Sequence, residues 1–149
     1  MTGTTTIGHV TARRVWDSRG RPTVEADVIL QNGSIGRAIA PAGASTGSGE
    51  AIDLRDGGPK LGGFDVTKAI DNIKTVISPA LKGLVASDQA SVDQTLLELD
   101  GTQNKAKLGG NAMILITGGM GFIGLNTAKR FIDAGEEVVL TQHHARREP

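Results

Sequence analysis

Thr23-Val24-Glu25-Ala26-Asp27-Val28-Ile29-Leu30 is the stretch on which the reading of the chain turns. Val24, Ala26, Val28 and Leu30 fall on one side, and Thr23, Glu25, Asp27 and Ile29 on the other, which is the two-residue period of a half-buried strand. Asn32-Gly33 follows, a pair suited to the positive φ angles of a tight hairpin. Residues 35–40 then return as a partner strand. Upstream, residues 9–16 form an opening strand that ends at the turn Asp17-Ser18-Arg19-Gly20. Together these segments predict a three-stranded antiparallel meander.

Downstream of the meander, Pro41-Ala42-Gly43-Ala44-Ser45-Thr46-Gly47-Ser48-Gly49 is too small and polar to build a core and reads as a surface loop. Its hydroxyls and backbone N–H groups suit a lid over a ligand, or a plain linker. In residues 65–81, Val66, Ala69, Ile70, Ile73, Val76, Ile77 and Leu81 make a stripe at helical spacing. Asp65 is placed to cap that helix, and Pro79 predicts a kink or break near its end. A second helix starts after Ser87, carries Val92, Leu96 and Leu99 on one face and stops at Gly101.

The composition narrows the functional classes. At 149 residues and 15.4 kDa the chain makes one ordinary domain or two small ones. With 16 basic and 16 acidic residues it is neutral, which argues against nucleic acid and against a polybasic membrane anchor. Without cysteine there are no disulfides or thiolate metal sites. No apolar run approaches the ~20 residues that span a bilayer, and the uncharged Thr/Gly-rich start does not resemble a secretory signal, so a cytoplasmic location is expected. Aromatics at 3% imply an aliphatic core, and 21 glycines imply loops with special backbone angles.

The pattern changes at Met113. Met113-Ile114-Leu115-Ile116-Thr117 is a continuous apolar run typical of a strand buried on both faces. Gly118, Gly119, Gly121 and Gly124 follow, residues 122–134 have helical character, and residues 137–141 read as another strand. The expected fold is therefore α+β. Residues 1–112 form a three-stranded antiparallel meander plus helices, and residues 113–149 a partial Rossmann β-α-β unit.

Residues 7–112 closely resemble the N-terminal domain of enolase, the glycolytic phosphopyruvate hydratase. The resemblance rests on Asp17-Ser18-Arg19-Gly20 with Pro22-Thr23-Val24-Glu25, on Gly43-Ala44-Ser45-Thr46-Gly47, and on Leu54-Arg55-Asp56-Gly57. It continues in Leu99-Asp100-Gly101-Thr102, Asn104-Lys105 and Leu108-Gly109. It implies a cap packed on a large barrel, with Mg²⁺ and 2-phosphoglycerate between them. Gly43, Ala44, Ser45 and Thr46 match the substrate lid, and Ser45 matches a ligand of the second Mg²⁺, a hard ion that takes oxygen donors. Arg13 and Glu25 match positions that form salt bridges between subunits, or are simply solvated strand charges. Arg21, Ala42, Gly49 and the 57–63 stretch depart from the family pattern.

In that family the lysine base, the acid and the first metal's carboxylates lie in the barrel. No catalytic residue is therefore assigned in this chain, and activity on 2-phosphoglycerate or phosphoenolpyruvate is expected only when a barrel is supplied. Residues 113–149 resemble the start of an NAD(P)-dependent epimerase/dehydratase. There Gly118, Gly121, Phe122, Ile123 and Gly124 match the fingerprint that holds a pyrophosphate at a helix N-terminus. Thr141-Gln142-His143-His144 stands where an acidic ribose ligand is usual, with Arg146 and Arg147 beyond it, so NADP fits as well as NAD. The readings carried forward are an enolase fragment, a dinucleotide-binding module and an inert fusion product. Exposed apolar surface predicts homo-oligomers.

Overall fold

A computed structural model describes residues 5–40 and 51–117. Strands β1 (Ile7–Trp16), β2 (Pro22–Leu30) and β3 (Ile35–Ala40) form one antiparallel sheet in the order β1-β2-β3. This is the expected meander, with Ala12 opposite Ala26 and Ala26 opposite Ala38. The hairpin differs in one detail. Gly33 alone takes a positive φ, 88°, and Asn32 does not. Leu30 N donates to Ser34 O at 2.8 Å, which closes a three-residue loop whose left-handed position falls to Gly33 rather than to a two-residue pair.

One face of the sheet is covered by helices. Helix α1 (Thr67–Asn72) runs into a widened π turn (Ile73–Ile77) and on into α2 (Ser78–Leu81). Pro79 therefore does not break the helix. Proline lacks an N–H, and its ring crowds the carbonyl four residues back, so the preceding turn loosens to five-residue spacing instead. Val24, Ile73, Ile77, Leu81 and Leu96 are all completely buried. Each stabilises the fold by about 1.5–3 kcal/mol relative to exposure. Ser78 Oγ accepts from Val10 N at 2.8 Å, fastening the helix to the outer edge of β1.

Asp65 does not cap α1 as its position suggests. Its Oδ1 accepts from Val66 N at 2.9 Å, and both its oxygens meet Arg14 Nη1 at 2.8 and 2.9 Å. The first free N–H groups of α1 belong to Thr67 and Lys68. They donate to Asp56, a residue from the preceding loop, at 3.1 and 2.9 Å. Helix α3 (Gln89–Asp100) follows expectation: Asp88 accepts from Ser91 N at 3.1 Å, and Gly101 ends it with its N–H on Leu97 O at 2.9 Å.

The expected buried strand at Met113 is not a strand. Residues 110–117 form helix α4 (Gly110–Thr117), which packs against β2 and β3. An apolar run this short fits a strand or a buried helix equally well by periodicity. Here the residues just before it decide: Ala112 N and Met113 N both donate to Gly109 O, at 3.0 and 3.1 Å, which starts a helical turn. The expected boundary between residues 112 and 113 thus falls inside one helix. The glycine fingerprint Gly118, Gly121, Phe122, Ile123 and Gly124, the helix at 122–134 and the strand at 137–141 lie outside the described residues.

Strand β2 is also buried more fully than an alternating strand should be. Glu25 and Asp27, on the face away from the helices, are each only 8% exposed. They lie under the side chains of Arg13 and Arg37 from the two flanking strands. Among the described residues no helix is long and apolar enough to cross a membrane.

Candidate functional site

The candidate site is the segment 41–50, whose sequence predicts a loop. Gly43, Ala44, Ser45 and Thr46 lie outside the described residues, but both roots of the loop are described. At the first root β3 ends at Ala40, whose carbonyl accepts from the hydroxyl of Thr23, a residue that is 1% exposed on β2. At the second, residues 51–54 run beside the start of α4 without forming a strand. Ile52 N donates to Asn104 O at 2.9 Å, and Gly110 N donates to Ile52 O at 2.7 Å.

Asn111 completes this second anchorage. Its Oδ1 accepts from Leu54 N and its Nδ2 donates to Leu54 O, both at 3.1 Å, so one side chain satisfies the backbone of Leu54 as a neighbouring strand would. Asn111 is 2% exposed and lies in the first turn of α4, ahead of the apolar residues Ala112, Met113, Ile114, Leu115 and Ile116. Gly109 leaves room for the approach: its φ is 98°, and a Cβ there would lie 2.6 Å from both Leu54 Cβ and Asn111 Oδ1.

The other motif residues turn out to brace the same region. Arg55 Nη1 donates to Pro22 O at 2.7 Å and Phe64 O at 3.0 Å, tying the post-loop segment to the sheet. Asp56 N donates to Asp65 O at 2.8 Å while the Asp56 carboxylate caps α1. Burial works to raise the pKa of Asp56, but the N–H donors of Lys68 and Thr67 outweigh it and hold the carboxyl below its ordinary value. Asp100 accepts from Leu108 N at 2.7 Å and from Thr102 N at 3.0 Å, and it also meets the Thr102 hydroxyl. Its pKa too is lowered: burial pushes upward and these donors prevail. The Thr102–Leu108 connection that carries Asn104 is thereby held against α3.

Arg13 and Glu25 are paired with each other inside one chain. Arg13 also reaches Asp27 at 3.3 Å, and Arg37 meets Asp27 at 2.6 and 3.0 Å. The hydrogen bond from Arg37, followed by the charges of Arg37 and Arg13, lowers the pKa of Asp27 against the opposing effect of burial. These carboxylates are not the solvated strand charges that a strand surface would offer. The partnership of Arg37, and the roles of Thr23 and Asn111 at the loop roots, carry no signal in sequence spacing. Their partners lie 10, 17 and 57 residues away.

Among the described residues no group of three or more His, Cys, Asp or Glu could hold a metal ion. Asp27, Asp56, Asp65 and Asp100, the buried or half-buried carboxylates around the sheet and the 51–56 segment, are engaged by backbone N–H groups or arginines, and do not form a magnesium centre.

A three-stranded meander closed on one face by helices, with the residues on either side of the 41–50 segment held by hydrogen bonds, defines a small α+β domain. The chain belongs to the enolase family, whose N-terminal domain matches residues 7–120. It is 55% identical over 108 residues to the enolase of Lactobacillus helveticus (strain DPC 4571). To Enolase 2 of Lactiplantibacillus plantarum (strain ATCC BAA-793 / NCIMB 8826 / WCFS1) it is 57% identical over 108 residues. Each match covers 72% of this chain and 25% of the relative, so the chain spans about a quarter of the length of the curated relatives it matches.

Proposed function

We propose that this chain supplies the N-terminal, loop-bearing portion of an enolase, acting in the dehydration of 2-phosphoglycerate to phosphoenolpyruvate. The observation that carries the reading is the anchorage of residues 51–54 by Asn104, Gly110 and Asn111 beside the Ser45 loop, in a chain 55–57% identical to enolases. In this reading Gly43, Ala44, Ser45 and Thr46 close over the substrate. Ser45 Oγ would offer an oxygen to Mg²⁺, which would neutralise the charge that develops on the substrate when a proton is removed. Among the described residues no group of three or more His, Cys, Asp or Glu could hold a metal ion, so the reading assigns the base and the metal-holding carboxylates to the remainder of an enolase. Arg13 and Glu25 serve the contact between subunits, and the location is cytoplasmic, where glycolysis runs.

The test is complementation. The chain is mixed with the separately expressed remainder of the Lactobacillus helveticus enolase, and phosphoenolpyruvate is followed by its absorbance. Product from the mixture but from neither part, abolished by Ser45→Ala, supports the reading. A complex that forms yet makes no product, or a mixture indifferent to Ser45→Ala, overturns it. The dinucleotide-binding reading of residues 113–149 has less support. A glycine fingerprint cradles pyrophosphate where it follows a strand and opens a helix, and here α4 precedes it.

A further inference from the structure

Residues 31–34 join β2 to β3, and this turn carries a chemistry that the proposed loop function does not use. Of the five asparagines in the chain only Asn32 is followed by glycine. Both residues are exposed, and a Cβ built on Gly33 would meet nothing within 4 Å, so nothing shields this peptide group from solvent or crowds its nitrogen.

The turn holds the Asn32 side chain back against its own backbone. Asn32 Oδ1 accepts from Ser34 N at 3.0 Å, the arrangement of an Asx turn. That bond passes over Gly33 and keeps the side-chain carbonyl turned toward the Gly33 peptide. It also aims an N–H donor at Oδ1, where negative charge develops when a nucleophile adds to Cγ, as the donors of an oxyanion hole do. Gly33 N donates to Leu30 O at 3.0 Å, a bond that opens before the nitrogen reacts, and at this exposed position solvent is at hand to take its proton.

The other described asparagines lack this arrangement. Asn111 is 2% exposed with both amide atoms on Leu54, and Asn72 Nδ2 is held by the carbonyls of Lys107 and Leu108. Asn104 precedes Lys105, whose side chain crowds the nitrogen. Asp56 and Asp100 also precede glycine, but burial is outweighed there by backbone N–H donors that keep both carboxylates ionised, a form that offers no leaving group.

We propose that Asn32 is a site of spontaneous modification, converting to aspartate and isoaspartate through a cyclic imide. The deprotonated Gly33 nitrogen bonds to Asn32 Cγ, the Cγ–Nδ2 bond breaks, and Nδ2 leaves as ammonia, taking up a proton. Water then opens the five-membered ring. Cleavage between Cγ and the Gly33 nitrogen gives aspartate, and cleavage at the Asn32 backbone carbonyl gives isoaspartate; no oxidant or reductant is consumed. Either product takes a chain of 16 basic and 16 acidic residues from zero net charge to one negative charge. Isoaspartate also lengthens the backbone by one carbon inside a loop that Leu30 N and Ser34 O close at 2.8 Å.

The folded chain is aged in water enriched in heavy oxygen, beside the same chain unfolded in urea, and residue 32 is followed by peptide mass spectrometry and by isoaspartate methyl-transfer assay. The expected result is an acidic form of the folded chain, with ammonia released and one heavy oxygen incorporated at residue 32. Conversion there should run at least about ten-fold faster than at Asn72, Asn104 or Asn111, and it should quicken as pH rises. Asn32→Gln, which cannot close the five-membered ring, should abolish the acidic form. An intact Asn32 in the folded chain once the unfolded chain has converted overturns the proposal. So does conversion spread evenly over the other asparagines, or an acidic form that persists in Asn32→Gln. Asn32 takes no part in the anchorage of residues 51–54, so failure here leaves the complementation result standing on its own.

Discussion

Replacing Asn111 by leucine keeps a side chain of similar size in a buried position but removes both hydrogen bonds to Leu54. The Leu54 N–H and C=O then have no partner in a part-buried place. An unsatisfied buried backbone group costs about 1–3 kcal/mol, and partial access to water brings two such groups to about 2–4 kcal/mol in total. Asn111→Asp is a sharper variant. One carboxylate oxygen can still accept from Leu54 N, while the other confronts Leu54 O and is desolvated as a charge, so the loss is at least as large. The assay is urea denaturation combined with amide hydrogen exchange. Both variants should lower the unfolding free energy by the stated amount, and the Ile52 and Leu54 amides should exchange faster well before global unfolding. Ala69, in the core of α1, should be unaffected except through global stability. A variant within about 0.5 kcal/mol of the parent, with unchanged exchange at Ile52 and Leu54, would refute the claim that Asn111 holds the loop root.

Three further outcomes follow from the same geometry. Gly109→Ala places a Cβ 2.6 Å from Leu54 Cβ at a φ of 98°, whereas Gly20→Ala, at φ 71°, meets nothing within 4 Å. The first should cost about 2 kcal/mol or more in urea denaturation and the second about 1 kcal/mol; equal costs would count against the close approach. Asp27, Asp56 and Asp100 all have lowered pKa values, so they bind protons less readily in the folded chain than in the unfolded one. Their contribution is full above the ordinary carboxylate range near pH 4 and disappears as pH falls through the lowered folded values. Denaturation midpoints should therefore drop on acidification below about pH 5, and a rise there would contradict the sign. Finally, carbon chemical shifts of residues 111–117 should be helical, and strand values would restore the β-α-β reading of this segment.

Much of the meander was legible because a strand half-covered by a core writes a two-residue period into its own residues, as Val24, Ala26 and Leu30 do. Helix α3 was legible for a similar reason. Its cap at Asp88, its stripe of Val92 and Leu96 and its stop at Gly101 are all local chemistry. The Met113 run was misread because four apolar residues in a row satisfy either period, and the choice of helix is made by Gly109 and by packing against β2 and β3. Asp65 was misassigned since a cap is a local guess, while its actual partner Arg14 lies 51 residues away.

The loop region divides in the same way. The glycine- and serine-rich loop that the sequence predicts at 41–49 lies outside the described residues. The sequence by itself determined that three strands would come first and that aliphatic helices would follow. These are consequences of side-chain size, branching and periodicity along neighbouring positions. Only the tertiary structure decided what holds the loop: Thr23 on the Ala40 carbonyl, Asn104 on Ile52, and Asn111 on both backbone groups of Leu54. Those bonds join residues distant in the chain. They exist because burial leaves each backbone polar group no water to turn to, and that requirement is imposed by the packed fold rather than by any local pattern.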